Sequence, residues 1–174
     1  MVTKLAFSAL ALAVGVERLL ELRKSRTNER RMRLRGGAEH VPRQLIWMKG
    51  LHTAWLAGSC AEVWLLERRT SPKLAGAAVL AFAAGHSLRR SAMRALGWRW
   101  TVRVMTVPKA PLVKHGPYRY LRHPNYLGVA IEIAALPLIH GAYLSAATFS
   151  LANALLLRAR IREEEAALSG ALRA

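Results

Sequence analysis

The chain has 174 residues, 53% of them hydrophobic, and its 27 Lys and Arg residues against 10 acidic residues give a net charge of +17. This length suffices for one domain with a buried core, and the apolar content excludes intrinsic disorder. So high a charge often indicates nucleic-acid binding, but here basic residues alternate with long apolar runs, which favours a membrane protein with no nucleic-acid partner. The single cysteine, Cys60, excludes an intrachain disulfide and a zinc site built from cysteines.

Five apolar runs follow one another along the chain, and each predicts a membrane-spanning helix. The predicted helices cover residues 5–22, 45–66, 74–88, 126–140 and 142–165. Ala, Leu and Gly dominate the third run, and such small residues permit close helix packing. Some runs fall short of the roughly 20 residues of a straight span, so local thinning of the bilayer is expected. The sequence therefore predicts an all-α integral membrane protein with a single domain over residues 1–174.

Basic residues are distributed unevenly among the connections between these runs. Connections 23–45 and 89–125 and the tail from Arg158 together carry twenty-one Lys and Arg residues, whereas Lys4 and connection 67–73 account for four. The positive-inside rule therefore predicts a multi-pass protein of the cell inner membrane, with the N-terminus outside and the C-terminus in the cytoplasm. A cleaved signal peptide is the alternative for the first run, but no small-residue cleavage site follows it.

The longest connection contains a motif rich in conformationally restricted residues. Gly116–Gly128 reads G-P-Y-R-Y-L-R-H-P-N-Y-L-G, with two prolines, two glycines and three tyrosines. Its first glycine and proline predict a sharp turn, and Pro124 suits the first turn of the fourth helix. Backbone N–H groups, Arg122, His123 and tyrosines at a helix N-terminus are suited to a carboxylate. An alternative remains open, in which the tyrosines form an interfacial belt and the arginines contact lipid phosphates.

A second polar cluster lies at the end of the fifth helix, where residues 158–168 read R-A-R-I-R-E-E-E-A-A-L. Arg160 and Glu164 are four residues apart and share one helix face. A solvated amphipathic helix with ion pairs explains this pattern by itself. Glu164 and Glu165, however, are expected on the same side of the membrane as the cationic loop. An acidic pair facing a cationic loop is suited to holding both ends of an amino acid.

Together these two segments resemble the isoprenylcysteine carboxyl methyltransferase family in its small bacterial form. Three flanking patterns extend the resemblance over nearly the whole chain: E-R-L-L-E-L with S-R-x-N, a glycine pair followed by Glu, and A-L-G-x-R-W-T-x-R-V. They stand at Glu17–Leu22 with Ser25–Asn28, at Gly36–Glu39, and at Ala95–Val104. Two departures concern Ala110, where many relatives have histidine, and an F-G-x-x-Y-like segment that follows the acidic pair in longer relatives and is absent here.

The resemblance implies S-adenosylmethionine as cofactor, a lipophilic small molecule as methyl acceptor, and membrane lipid as a further partner. The cofactor site it implies consists of Gly116, Tyr118, Arg122, His123, Tyr126 and Glu165. The catalytic pair it implies is Arg160, which would orient the acceptor oxygen, and Glu164, which would fix the Arg160 rotamer. The acceptor oxygen belongs to a carboxylate, a phenol or an enol. No metal is predicted, because His115 and His123 have no acidic residue nearby in sequence.

Several polar residues interrupt the apolar runs, and such residues are expected to face protein because of their cost in a bilayer. His52, Trp55, Ser59 and Glu62 form one stripe on the second helix. Two interpretations remain open for this stripe: a polar wall of the acceptor cavity, or internal hydrogen bonding in which Glu62 pairs with Lys4 or Arg68. Glu17 and Arg18 are expected to pair with a neighbouring helix, and His86 and His140 are expected at the membrane interface. For Glu132 two interpretations remain open: it orients the cofactor loop, or it has no such role.

Two alternative functions belong to other classes. One is a non-catalytic membrane module whose basic loops bind anionic lipid or a partner. The other is a phospholipid N-methyltransferase with a similar site. Binding of S-adenosylmethionine and the identity of the methylated atom distinguish these functions.

Overall fold

The computed structural model describes residues 1–40, 44–68 and 70–173, and within them the chain folds into five α-helices and one short antiparallel ribbon. The elements, in chain order, are α1 (Val2–Arg33), β1 (Ala38–His40), α2 (Gln44–Leu66), α3 (Pro72–Leu96), β2 (Val104–Thr106), α4 (Pro124–Leu138) and α5 (Tyr143–Arg173). Short 3-10 helices at Gly97–Arg99 and Gly116–Arg119 lie between α3 and α4. Arg43 and Arg69, which belong to the basic connections discussed above, lie outside the described residues.

The helical part of the fold prediction is confirmed, although three helices are longer than their apolar runs. α1 continues past Leu22 to Arg33, because Arg, Lys, Glu and Met are good helix formers and their polar ends can remain solvated. α3 and α5 likewise extend into basic segments. Within the described residues, no helix combines the length and the apolar composition that a membrane crossing requires. The membrane spans therefore stay a prediction.

A short two-stranded ribbon, which the sequence analysis did not predict, accompanies the five helices of this all-α fold. β1 pairs antiparallel with β2, and Glu39 stands opposite Met105. Arg103, just before β2, forms ion pairs with Glu39 of β1 and with Glu29 of α1, the latter at 3.2 Å. Strands of three residues are too short to show the alternation of apolar and polar residues by which a strand is recognised. The two strands within the basic connections were therefore not predicted.

Glycines allow α3 and α4 to approach each other closely. A Cβ atom on Gly128 would lie 2.7 Å from the carbonyl oxygen of Gly85, and one on Gly85 would lie 2.9 Å from Cβ of Ile131. Both distances are shorter than real carbon contacts, so only glycine fits at these positions. The expectation that small residues in the third run permit close packing is confirmed for α3.

Buried ion pairs connect α1, α3 and α4. Glu132 of α4 is 1% exposed and pairs with Arg18 of α1, with Arg89 at 3.3 Å and with His86 at 3.0 Å. Arg89 pairs in turn with Glu21 of α1. We call these five residues the ion network. A buried charge is tolerated only when it is paired and hydrogen-bonded, and here each charge meets a partner on another helix.

The ion pairs of these helices test the sequence predictions made for Arg18, Glu17 and Glu132. Arg18 pairs with a neighbouring helix as predicted, and Glu17 does so too, through Arg90 of α3 at 2.8 Å. Glu132 does not orient the cofactor loop, because its carboxylate is occupied by side chains of α1 and α3. His86 is a member of the network, and its position at the membrane interface stays a prediction.

The polar stripe on α2 faces the protein interior, as predicted. Trp55 is fully buried and donates from its indole nitrogen to the carbonyl oxygen of Ile133 at 3.1 Å. Glu62 accepts hydrogen bonds from the backbone N–H groups of Leu144 at 3.0 Å and Ser145 at 2.7 Å, so it satisfies donors at the start of α5. It also pairs with Arg68 at 3.3 Å. For Glu62 the interpretation as an internal hydrogen-bonding residue is therefore confirmed.

The helix termini lie at two opposite ends of the bundle. At one end, which we call the distal end, Lys4 pairs with Glu67 at 2.6 Å and the rings of Phe7 and His140 lie 5.9 Å apart. The opposite end, which we call the site end, contains the end of α1, the ribbon, the start of α4 and the final turns of α5. The basic connections and the polar motifs of the sequence therefore meet at the site end.

Candidate functional site

The start of α4 and the later part of α5 form one side of the site. As predicted, Pro124 begins α4, and His123 stands just before it in a non-helical conformation. The His123 ring stacks on the Tyr126 ring, with centroids 5.5 Å apart. His123 Nε2 lies 3.2 Å from Oε1 of Glu165 on α5. The loop motif and the acidic pair, about forty positions apart in sequence, thus contact each other directly.

The Tyr126 hydroxyl links the two residues assigned as the catalytic pair. Arg160 donates from Nε to this hydroxyl at 2.8 Å, and the hydroxyl donates to Oε2 of Glu164. The Arg160 guanidinium also lies over the Tyr126 ring, 5.6 Å from its centroid. Glu164 was expected to fix the Arg160 rotamer directly through the shared helix face. In the structure this connection runs through Tyr126 on the neighbouring helix.

Arg160 is a buried cation. Its side chain belongs to a residue only 3% exposed, and among the described residues no carboxylate lies within ion-pair distance of it. Nη2 donates to the carbonyl oxygen of Val102, and Nε is held by Tyr126. Among the described residues, Nη1 has no hydrogen-bond partner. A buried guanidinium that has no carboxylate partner among the described residues favours a ligand that presents a negatively charged oxygen.

Two residues of α1 hold the segment that carries Val102. Asn28 donates from Nδ2 to the carbonyl oxygens of Trp100 at 2.7 Å and Gly97 at 3.2 Å. Ser25 accepts from the backbone N–H of Val102 at 2.9 Å. Ser25 and Asn28 are the ends of the S-R-x-N pattern, so the structure gives that pattern a physical role. It positions the carbonyl oxygen that orients Arg160, which sequence reasoning alone did not reveal.

A polar cavity of about 660 Å³ opens between α5, the ribbon and the loop before α4. The site residues predicted from the sequence that line it are Tyr118, Arg122, His123, Tyr126, Arg160, Glu164 and Glu165. Gly116 is absent from this lining and lies beside α3, where a Cβ would be 3.3 Å from Cβ of Ala95. Its φ of +59° explains why glycine stands there. Gly116 therefore shapes the turn, and its close approach to the cofactor stays a prediction.

The lining of the polar cavity combines apolar and polar groups. Apolar side chains contributed by the ribbon, the following loop and α5 form one part of its wall: Val104, Met105, Leu112, Val113 and Leu168. Burial, and secondly the charge of Glu164, raise the pKa of Tyr118 above its ordinary value, so its hydroxyl remains protonated and can donate. The cavity thus offers an apolar surface, cations and carboxylates to one ligand.

A second cavity of about 570 Å³ extends from the same place toward the distal end, between α1 and α2. Most of its lining is apolar, so we call it the apolar cavity. Its lining shares Thr101, Tyr126 and Arg160 with the polar cavity. The buried guanidinium of Arg160 therefore stands at the junction of the two cavities. Such an arrangement brings a polar ligand and an apolar ligand together at one cation.

The described residues of the site include no recognisable metal centre. Among the described residues, no group of three or more His, Cys or Glu side chains is arranged to hold a metal ion.

The polar cavity suits the cofactor suggested by the sequence. Its carboxylates fit an amine, its arginines fit a carboxylate, and its apolar wall fits an aromatic base. Its volume falls within the range of about 300–1,000 Å³ typical of small-molecule sites.

The chain is similar to a known protein family and to a protein of Bacillus subtilis. The isoprenylcysteine carboxyl methyltransferase family matches residues 77–170, which include the loop motif and the acidic pair. The uncharacterized protein YpbQ of Bacillus subtilis (strain 168) is 34% identical over 153 residues, which cover 88% of this chain and 90% of that protein. No solved structure matches the chain. The extent of these similarities shows that this chain belongs to the isoprenylcysteine carboxyl methyltransferase family.

Proposed function

We propose that this protein transfers a methyl group from S-adenosylmethionine to an oxygen of a lipophilic acceptor, either a carboxylate or the hydroxyl of a phenol or enol. The observation that carries the proposal is the buried Arg160 at the junction of a polar and an apolar cavity. Two reactants of opposite solubility can each enter the cavity that suits them and meet beside this residue. Membership of a methyltransferase family supports the same reaction class.

The residues of the polar cavity are suited to the cofactor. Glu164 and Glu165 offer carboxylates to its amine, while Arg122 and His123 offer donors to its carboxylate. When bound, S-adenosylmethionine supplies an activated methyl group, whose bond to sulfur breaks as the acceptor oxygen bonds to carbon and the electron pair returns to sulfur. Glu164 and Tyr126 also connect this cavity to Arg160, so cofactor binding and acceptor orientation are coupled.

The role proposed for Arg160 is to hold the acceptor oxygen in line with the methyl group. Nη1 remains to bind that oxygen, because Nε and Nη2 are held by Tyr126 and Val102. A carboxylate is already ionised and needs no base, whereas the nearby cation favours the anion of a phenol or enol, whose proton leaves to solvent. Correct alignment of two reactants can contribute roughly 7–11 kcal/mol to lowering a barrier.

The proposal includes a membrane location, with the site end in the cytoplasm and the N-terminus outside. Apolar side chains exposed on the helix sides support it, because surfaces of this kind are unusual in proteins surrounded by water. They include Leu12, Leu19, Leu80, Leu151 and Leu155, which are between 62% and 73% exposed. The concentration of basic connections at the site end supports the orientation.

The proposal is tested by incubating the purified protein with methyl-labelled S-adenosylmethionine and membrane lipid extracts. Mass spectrometry should then detect a lipophilic product carrying one added methyl group on oxygen. Arg160→Ala should abolish this product, whereas Arg158→Ala, which removes an exposed arginine two positions away, should preserve it. Calorimetry without a binding isotherm for the cofactor would indicate a non-catalytic module. A methylated ethanolamine nitrogen would indicate a phospholipid N-methyltransferase.

A further inference from the structure

The outer face of α1 changes from apolar to cationic after Leu22. Between residues 5 and 22, every exposed side chain belongs to Ala, Val or Leu. Five exposed cations then follow within nine residues, and we call them the basic face: Arg23, Lys24, Arg26, Arg30 and Arg31. An aliphatic helix surface that ends abruptly in cations is typical of a helix that leaves a bilayer.

The basic face has no acidic partner within the described part of the chain. The acids nearest to it in sequence are occupied by other cations: Glu21 by Arg18 and Arg89, Glu29 by Arg103, and Glu39 by Arg33 and Arg103. Several cations of one sign on an exposed surface create a potential that attracts anions. The anion that neutralises the basic face therefore comes from another molecule.

The inner face of the same helical turns holds the basic face in position. Ser25, Asn28 and Met32 are buried, and Asn28 donates hydrogen bonds to the loop that follows α3. The segment is therefore a packed helix, and its cations keep a fixed spacing. Arg23 and Arg26 are three residues apart, so they lie on one side of the helix.

The cations of the basic face lie at two different distances from the apolar part of α1. A helix rises 1.5 Å per residue, so Arg23, Lys24 and Arg26 stand about 2–6 Å beyond Leu22. Arg30 and Arg31 stand about 12–14 Å beyond it. The headgroup layer on each side of a bilayer is about 5–8 Å thick. With Leu22 at the edge of the hydrocarbon, the first three cations lie among headgroups and the last two lie in water.

We propose that Arg23, Lys24 and Arg26 form a binding site for anionic phospholipid. The phosphate contacts these cations, and the acyl chains lie against the exposed aliphatic side chains of α1. The lipid is a neighbour of the helix and is not the methyl acceptor. A net negative charge distinguishes it from neutral lipid, because each cation near the headgroups contributes about fivefold to binding. The inference rests on the membrane location in the proposed function and does not require methyl transfer.

Native mass spectrometry tests the site by counting the lipids that remain bound to the protein. The purified full chain is delipidated in detergent and mixed with equal amounts of dioleoyl phosphatidylglycerol and dioleoyl phosphatidylcholine. The first bound lipid should be phosphatidylglycerol in roughly tenfold preference. An excess of glycerol 3-phosphate should leave this lipid bound. Its displacement would show that the cations bind free phosphate, which would overturn the lipid assignment.

Two pairs of substitutions remove equal charge at different distances from Leu22. Arg23→Gln with Arg26→Gln should lower the preference for phosphatidylglycerol roughly tenfold. Arg30→Gln with Arg31→Gln is the matched control and should leave the preference unchanged. All four positions are exposed, and Gln forms helices about as well as Arg, so both variants should keep their helical circular dichroism. Arg23→Lys with Arg26→Lys keeps the charge and should keep the preference.

Three results would overturn the inference. Equal losses in the two Gln variants would show that net charge alone governs lipid binding. Equal binding of the two lipids by the unmodified protein would show that the site does not recognise an anion. Displacement of phosphatidylglycerol by an RNA of mixed sequence would identify nucleic acid as the occupant. Methyl transfer is not measured in any of these experiments, so their outcome is independent of that reaction.

Discussion

Arg160 of α5 donates a hydrogen bond of 2.8 Å to the hydroxyl of Tyr126 on α4, at the junction of the two cavities. The same hydroxyl donates to Glu164, one turn further along α5. A tyrosine on one helix thus holds an arginine and a glutamate of another in fixed positions. The geometry of the site therefore depends on how α4 and α5 pack.

Tyr126→Phe should lower kcat/KM roughly tenfold to a hundredfold, because removing the hydroxyl leaves Arg160 and Glu164 without a shared partner, a loss of about 1–3 kcal/mol. Steady-state kinetics with a methylated product as readout measures the effect. Tyr120→Phe is the control, since Tyr120 lies in the same motif but is 79% exposed. Equal kinetics in both variants would contradict the assigned role of Tyr126.

Asn28→Ala should lower kcat more than it changes KM for the cofactor, because Asn28 holds the segment whose Val102 carbonyl oxygen orients Arg160. The buried carbonyl oxygen of Trp100 also loses its partner, which costs about 1–3 kcal/mol of stability. Thermal unfolding and kinetics should therefore both change. Thr27→Ala, at the exposed neighbouring position, should change neither. A purely structural role for Asn28 would lower stability without changing kcat.

Glu132→Ala should destabilise the fold by about 3–5 kcal/mol, because it leaves Arg18 and Arg89 as buried cations with a missing partner. The melting temperature, measured by circular dichroism, reports the loss. Glu163→Ala removes an exposed carboxylate of α5 and should leave that temperature unchanged. A stable Glu132→Ala variant would show that the ion network is not essential to the packing of α1, α3 and α4.

Two glycine substitutions should change stability in opposite directions. Gly128→Ala places a carbon 2.7 Å from the carbonyl oxygen of Gly85 and should cost about 1–3 kcal/mol, because α3 and α4 must move apart. Gly76→Ala meets no neighbour and should stabilise α3 by about 0.5–1 kcal/mol through its better helix propensity. Chemical denaturation of both variants compares the two effects. A neutral Gly128→Ala would contradict the close approach of these helices.

Much of the architecture could be predicted from local patterns. Apolar runs located the five helices, the third run indicated close packing, and Pro124 marked the start of α4. Helix ends were less accurate, because the helices continue into charged segments that apolar periodicity does not detect. The ribbon was missed, because β1 and β2 have three residues each and lie far apart in sequence.

The sequence analysis predicted only part of the candidate site. The motifs identified the side chains that line the polar cavity, but Gly116 proved to lie outside it. The link from Glu164 to Arg160 through Tyr126, and the support of Val102 by Ser25 and Asn28, were not predicted. Contacts of this kind join residues tens of positions apart, and no local pattern encodes which pairs will meet.

The sequence by itself determined the helical character of the chain, the side chains available for chemistry and their gathering at one end of the helices, because these properties follow from composition and from spacing along the chain. Only the tertiary structure decided that Arg160 is buried with no direct acidic partner in the described part of the chain, and that two cavities join beside it. The physical reason is that burial and cavity shape arise from packing between helices, which depends on all of them at once.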